Sequence, residues 1–476
     1  MHHLENRAKK FDNAMAYATL ICRRFFNAFF VLLLLAGMAV ADQPTPDANP
    51  LTHTITTNPQ VNPFLNGWGK LGLLLGLSEE SGIRLGGIFI PQLNWTVSGG
   101  VRPHSVFGGL LLGLNLGVDM QKALSIPGGT FGIEFLEYTG GSTNPAAGSV
   151  QQYDGLNGPS PRARQELMQL WWHQRLFDDK LIFQFGKMNA AGSFGAVLAP
   201  VAISDPKLQD IDISVLLWSP SGINPTMFGR LPIYPNTAYG AAVHFAPTKN
   251  LYASYGIFDG NAAQGKQTGV ILGPRINSYK FNVGELGVTW LLGAEDKPGR
   301  FGIGGWVQTG ELLTTYLTKQ NGATGYYLFA NQRLWYRHPD SDNSGLVGFL
   351  QFGHTSDNAA MANTYFGAGL TGVGLVPVLP NNRISIGMAW SQLNDSPFAG
   401  AFFFPSVPSD STRLRASELM LQVALQTTFV FPLPKGFWTP TAPLTAVAAY
   451  TCIPTPGERP DLPAAHMLTV RLVSMF

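Results

Sequence analysis

The chain has 476 residues, of which only 13% are charged while 45% are hydrophobic and 12% aromatic, with 31 basic against 29 acidic side chains. A soluble enzyme of this length would carry about 25% charged residues, and the absence of any basic stripe argues against a nucleic-acid partner. Nothing after residue 41 approaches 18 consecutive apolar positions, which excludes a helical membrane protein.

Arg23 and Arg24 form a positive edge ahead of residues 25–40, an apolar run broken only by Asn27. Ala39-Val40-Ala41 then offers the small residues that a signal peptidase needs. This is the layout of a secretory signal, with an apolar run too short for a comfortable membrane span. The region before Arg23 is long for a signal, so either Met1 or Met15 can be the start. Removing residues 1–41 leaves 26 basic and 27 acidic residues, with Cys452 as the remaining cysteine. Neither an internal disulfide nor a cysteine-based metal site is expected from one thiol. Residues 42–66 are rich in Pro, Thr and Asn and read as a periplasmic extension or a segment folded into a pore. Residues 67–81 read as a short helix, which makes 42–81 one N-terminal unit ahead of residues 82–476.

From there the pattern changes to period two. Between 107 and 119, Gly109, Gly113, Asn115, Gly117 and Asp119 alternate with Leu110, Leu112, Leu114, Leu116 and Val118, and only Leu111 breaks the order. In 383–393, Arg383, Ser385, Gly387, Ala389 and Ser391 oppose Ile384, Ile386, Met388 and Trp390. From 416 onward, Glu418, Gln422 and Gln426 oppose Leu419, Leu421, Val423 and Leu425. Such alternation is a strand signature. Low charge without long apolar runs then fits a transmembrane β-barrel, whose strands face lipid only at every second residue.

Similar segments recur near 83–97, 129–138, 164–175, 180–188, 237–246, 250–258, 281–292, 300–309, 326–337, 345–354 and 364–374, with others near 191–199, 212–218, 439–452 and 464–476. Their separators are rich in Gly, Pro, Asn and Asp. The longer irregular stretches, 139–163, 219–236 and 394–414, read as extracellular loops, one of which can fold inward as a constriction. An even number of strands closes a barrel with both ends in the periplasm, so of sixteen to eighteen candidates we take sixteen. The expected fold is therefore all-β, a transmembrane antiparallel barrel of about 16 strands behind a short N-terminal periplasmic helix.

The last strand is the sharpest local signal. Leu468, Val470, Leu472 and Phe476 share one face, and Thr469 and Arg471 the other. A terminal aromatic strand of this kind is what the barrel-assembly machinery reads, and an exposed apolar edge would invite aggregation in a soluble protein. The outer membrane of a Gram-negative bacterium is the expected location, with lipid and lipopolysaccharide as surroundings. Catalytic chemistry is missing from the pattern. Gly367-Ala368-Gly369-Leu370-Thr371-Gly372 matches GxGxxG but sits inside a strand pattern with no following helix. The histidines show no metal-ligand spacing. No enzyme, cofactor or metal is expected.

The segments together resemble the carbohydrate-selective porin family. The resemblance rests on Trp68-Gly69, Gly82-Ile83-Arg84-Leu85, Asn94, Val97-Ser98-Gly99-Gly100, Gly129-Thr130-Phe131 and Leu170-Trp171-Trp172-His173-Gln174. It continues through Gly186-Lys187-Met188-Asn189, Phe258-Asp259-Gly260, residues 327–332, the glycine-rich run 367–374 and the last strand. The order of these signatures over residues 62–476 carries the likeness. It implies a sixteen-stranded pore for passive uptake of glucose-like sugars. Gln169, His173, Asn331 and Pro443-Leu444 depart from the family's pattern, and they strip acidic charge from pore positions.

A sugar pore needs a narrow, polar, partly aromatic lumen with weak binding. By alternation and by the resemblance, the solute-binding candidates are Arg84, Asn94, Glu134, Gln169, His173, Arg333, Trp335, Glu418 and Arg471. The competing account is that opposed Arg and Glu groups only stiffen the wall. Trp171 and Trp172 must split between faces, one toward the lumen and one toward the membrane rim. The sequence leaves open a general diffusion porin or a channel for apolar or aromatic compounds, and it leaves open a homo-oligomer.

Overall fold

The computed structural model describes residues 71–72, 75–141, 143–156, 163–195, 215–218, 224–267, 276–339, 341–379, 381–403, 413–432 and 441–476. The expected export signal over 1–41 and the Pro-rich stretch 42–66 lie outside them. Of the expected helix at 67–81, Leu71 and Gly72 are helical and Glu79–Ser81 forms a 3-10 turn.

Sixteen strands close into one barrel. They are β1 (Ile83–Ser98), β2 (Ser105–Asp119), β3 (Gly129–Gly140), β4 (Ala163–Leu176), β5 (Leu181–Met188), β6 (Ala238–Thr248), β7 (Leu251–Asp259), β8 (Lys280–Leu292), β9 (Lys297–Leu313), β10 (Lys319–Tyr336), β11 (Gly345–Thr355), β12 (Ala362–Val373), β13 (Arg383–Leu393), β14 (Ser417–Pro432), β15 (Thr441–Ile453) and β16 (Ala465–Met475). Each pairs antiparallel with its sequence neighbours, and β1 closes on β16. Three one-turn helices, α1 (Met120–Leu124), α2 (Thr143–Ala147) and α3 (Ala399–Phe403), lie in connections.

Alternation decides the two faces. Phe89, Phe185, Ile303, Leu350, Ile386 and Leu472 stand exposed on the outside, the apolar belt that lipid covers. Gln92, Asn94, Gln422, Thr469 and Arg471 are buried on the inside. Connections at the rim that carries both termini are short. There Asp119 caps α1 by accepting the Gln121 and Lys122 N–H groups. The β4–β5 turn holds Phe177, Asp178 and Asp179 at φ of 56, 54 and 64°, a left-handed run that lets four residues reverse the chain.

Two expected strands are not found among the described residues. In 191–199, Ala190–Gly192 forms a 3-10 turn, and the rest lies partly outside the described residues. In 212–218, the described residues Val215, Leu216, Leu217 and Trp218 are buried inside the barrel and lie outside its named strands. Wall side chains satisfy their backbone instead, with Val215 N–H donating to Ser385 Oγ and Leu217 N–H to Gln422 Oε1. An apolar run looks the same whether it fills a lumen or joins a ladder.

Leu111, the exception in the second strand, is explained likewise. It points inward, and it clusters with Ile88, Ile90 and Leu136 of the wall and with Leu156 and Tyr234 of two connections. Burying a leucine fully contributes about 1.5–3 kcal/mol.

Candidate pore lining and constriction

The β3–β4 and β5–β6 connections both enter the lumen, and carboxylates hold them there. Glu418 on β14 accepts four hydrogen bonds, from Ser149 Oγ, the N–H groups of Val150 and Gln151, and the N–H of Gly457. Asp154 accepts from Arg471 of β16 and from Gln92 and Asn94 of β1. Glu285 on β8 accepts from Tyr252 and Tyr327 hydroxyls and from the Gly195 N–H of the second connection. Gly155 N–H donates to the Leu217 carbonyl at 2.8 Å, so the two connections also bind each other.

The chemistry of these contacts is specific. A buried carboxylate is tolerated only when donors replace its water, and loop N–H groups are the donors available. Where the loop supplies the charge, the wall supplies the counter-ion: Arg471 to Asp154 at 2.8 Å is such a pair. Arg230 of the β5–β6 connection pairs with Asp357 of the β11–β12 connection at 2.6 Å. Arg164 and Glu166 form a third buried pair at 2.8 Å near the start of β4.

The nine sequence candidates fall into three groups. Asn94, Glu418 and Arg471 are buried in the network just described, and Glu134 and Gln169 are buried beside the start of the β5–β6 connection, where Gln169 donates to Glu134 at 2.6 Å and accepts from the Asn189 N–H. Arg333 is also buried, with Nη1 donating to the Asn343 carbonyl and the guanidinium 4.8 Å from the Tyr336 ring centroid. Arg84, His173 and Trp335 keep solvent exposure. Arg84 stands exposed at the terminal rim, and His173 is half-buried, edge-on to Trp171 at 6.2 Å. Trp335 lies beyond a bulge between Arg333 and itself; its side chain is 47% exposed and does not join the lumen network. The tryptophan pair splits as expected, Trp171 buried on the lumen side and Trp172 opposite it on the strand.

Asp154 was not among the candidates, although it is the central acceptor. Its one sequence signal is that it is the sole acid within 139–163. Tyr252 and Tyr327 were also missed. Their rings lie over Gly287 and Gly304, where a Cβ would come within 2.1 and 2.2 Å of ring carbons. Glycine on one strand thus makes room for the aromatic ring of the next.

No curated protein matches the chain. Among solved structures, the high-pH form of Pseudomonas putida OprB is 17% identical and covers 86% of this chain and 97% of its own, with a TM-score of 0.69. The low-pH form of that protein is 14% identical over 86% and 96%, with a TM-score of 0.48. OpdK of Pseudomonas aeruginosa is 9% identical over 82% and 98%, with a TM-score of 0.39. At such identities the first likeness concerns the fold alone. The family model of the carbohydrate-selective porins, OprB family, matches residues 111–401. With that match on a closed sixteen-stranded barrel, the chain belongs to the carbohydrate-selective porin family and is an outer-membrane channel for sugar uptake.

Proposed function

We propose that this porin passes glucose-like sugars and other small polar solutes passively into the periplasm, and that its buried polar residues shape the constriction instead of binding solute. The supporting observation is Asp154, a loop carboxylate held by Arg471, Gln92 and Asn94 at once. On this reading Asn94, Glu134, Gln169, Glu418 and Arg471 position the two inward connections. His173 beside Trp171 and Arg84 at the periplasmic rim keep surface that sugar hydroxyls and ring faces can meet. Removal of the export signal near Ala41, delivery of β16 to the barrel-assembly machinery, and contact with lipopolysaccharide belong to the same reading. So does the absence of catalysis.

An alternative is a channel for apolar or aromatic compounds. Its motive is the aromatic cluster of Phe194, Trp218, Phe258, Trp306, Phe349 and Tyr365 inside the barrel. Those rings are at most 3% exposed, packed between connection and wall, so they offer little surface to a passing solute.

Swelling of liposomes that contain the refolded protein tests the reading with glucose, a disaccharide and a size-matched amino acid. Faster glucose entry, reduced in Arg84→Gln or His173→Ala, supports it. Equal entry of all three solutes reduces the function to general diffusion, and no swelling sinks the open channel.

A further inference from the structure

The β15–β16 connection, residues 454–464, lies across the β3–β4 connection at the rim opposite the termini. Gly457 donates its N–H to Glu418 Oε2 at 2.8 Å, and Glu458 donates its own to the Gly148 carbonyl at 3.1 Å. Arg415 fastens the same segment from the other side. Its N–H donates to the Gly457 carbonyl at 2.9 Å, its Nε to the Pro456 carbonyl at 3.0 Å, and its Nη2 to the Leu462 carbonyl at 2.9 Å.

In the middle of this fastened segment sits a carboxylate with no bonds of its own. Glu458 is 2% exposed, and neither side-chain oxygen has a hydrogen-bond partner among the described residues. Buried polar groups are almost always satisfied, and an ionised carboxylate without donors is among the costliest groups to bury. Three charged side chains face it: Arg459 of its own segment, Arg102 of the β1–β2 connection, and Glu418 of the wall. Arg459 leans instead toward Asp461, at 3.8 Å. The negative charge of Glu418 opposes ionisation of its neighbour.

We propose that Glu458 is a proton-sensitive latch on the extracellular mouth: protonated, it lets the β15–β16 connection stay seated on the constriction, and ionised, it drives that connection away from Gly148 and Glu418. Burial, with Glu418 adding to it, holds the Glu458 carboxyl well above the ordinary range, at about 7 against 4.5. The seated state therefore binds the proton more tightly than the released one. Seating is fully stable below the ordinary carboxylate value and weakens as pH rises from there to about 7. With those two values, the opening equilibrium grows roughly 70-fold between about pH 5 and about pH 8.

Amide hydrogen exchange of residues 455–462 in the folded porin, at both pH values and corrected for intrinsic rates, measures this directly. A gain in opening of roughly 70-fold is expected in the wild type, collapsing to less than about threefold in Glu458→Gln, whose side chain at position 458 does not titrate. Single-channel conductance follows the same pH profile in the wild type and is flat in the variant. Unchanged protection of the wild-type segment overturns the proposal, and so does a variant that keeps the full pH response. If Glu458→Gln does not reach the heat-resistant folded form on electrophoresis, the wild-type exchange alone decides.

Discussion

Arg471 on the last strand and Asp154 in the β3–β4 connection meet at 2.8 Å, with side chains 1% and 0% exposed. Arg471 also donates from Nε to Gln92 of β1, so one guanidinium joins the β3–β4 connection to both strands of the closing seam. Removing one partner of a buried pair leaves an uncompensated charge, which costs about 3–5 kcal/mol. Asp154→Ala is expected to lose that much in urea unfolding from vesicles and to raise single-channel conductance. Adding Arg471→Met to it recovers most of the stability but not the narrow conductance. A single variant as stable as the wild type counts against the pair as a staple.

Glu418 tests the same idea without a counter-ion. Alanine there leaves the N–H groups of Val150, Gln151 and Gly457 without their acceptor. Each buried donor so orphaned costs about 1–3 kcal/mol unless the connection moves to find water. Movement is the cheaper course, so Glu418→Ala should admit disaccharides faster relative to glucose in a swelling assay. An unchanged ratio of rates places the constriction elsewhere.

Gly287 supplies a steric test. A Cβ there would stand 2.1 Å from Tyr252 Cε1, and Tyr252 donates to Glu285. Gly287→Ala must push the ring aside, at about 1–3 kcal/mol for overpacking, and break that hydrogen bond. Tyr252→Phe loses the bond alone, so its melting temperature should fall less than that of Gly287→Ala. The reverse order would show that the ring is not seated against the glycine.

On the membrane side, Ile386 is 58% exposed and its neighbour Ser385 is fully buried. Ile386→Arg is expected to cost about 2–4 kcal/mol if it lies near the bilayer midplane. Urea titration of the vesicle-embedded barrel measures it. A substitution without cost would put Ile386 outside the lipid belt.

The barrel wall was legible because its pattern is local. The segments read as 83–97, 345–354 and 383–393 match β1, β11 and β13 to within a residue or two at each end. What fills the barrel was not legible. The run 212–218 carries the hydrophobicity of a strand, and only the closed wall around residues 215–218 explains why they fill the lumen instead of extending the ladder. Asp154 has its meaning from Arg471, more than three hundred residues later. Trp335 was assigned by extending an alternation that a bulge after Arg333 interrupts. Period-two reasoning places a side chain on a face, but it cannot say whether a loop has already claimed it.

Phe476 donates its N–H to the Gly87 carbonyl at 3.1 Å and accepts the Gly87 N–H at 2.8 Å. All other strand pairings join sequence neighbours. Hairpins close short loops and form quickly, whereas the seam must bring together segments from opposite ends of the barrel sequence. The entropic barrier to folding is thus concentrated in one late event. Until then β1 and β16 are the two open edges of a curled sheet, able to pair with another chain. Because Asp154 bridges those same two strands, the β3–β4 connection can lock into place only as the seam closes, and a porin caught before that point would be unsealed with its inward connection loose.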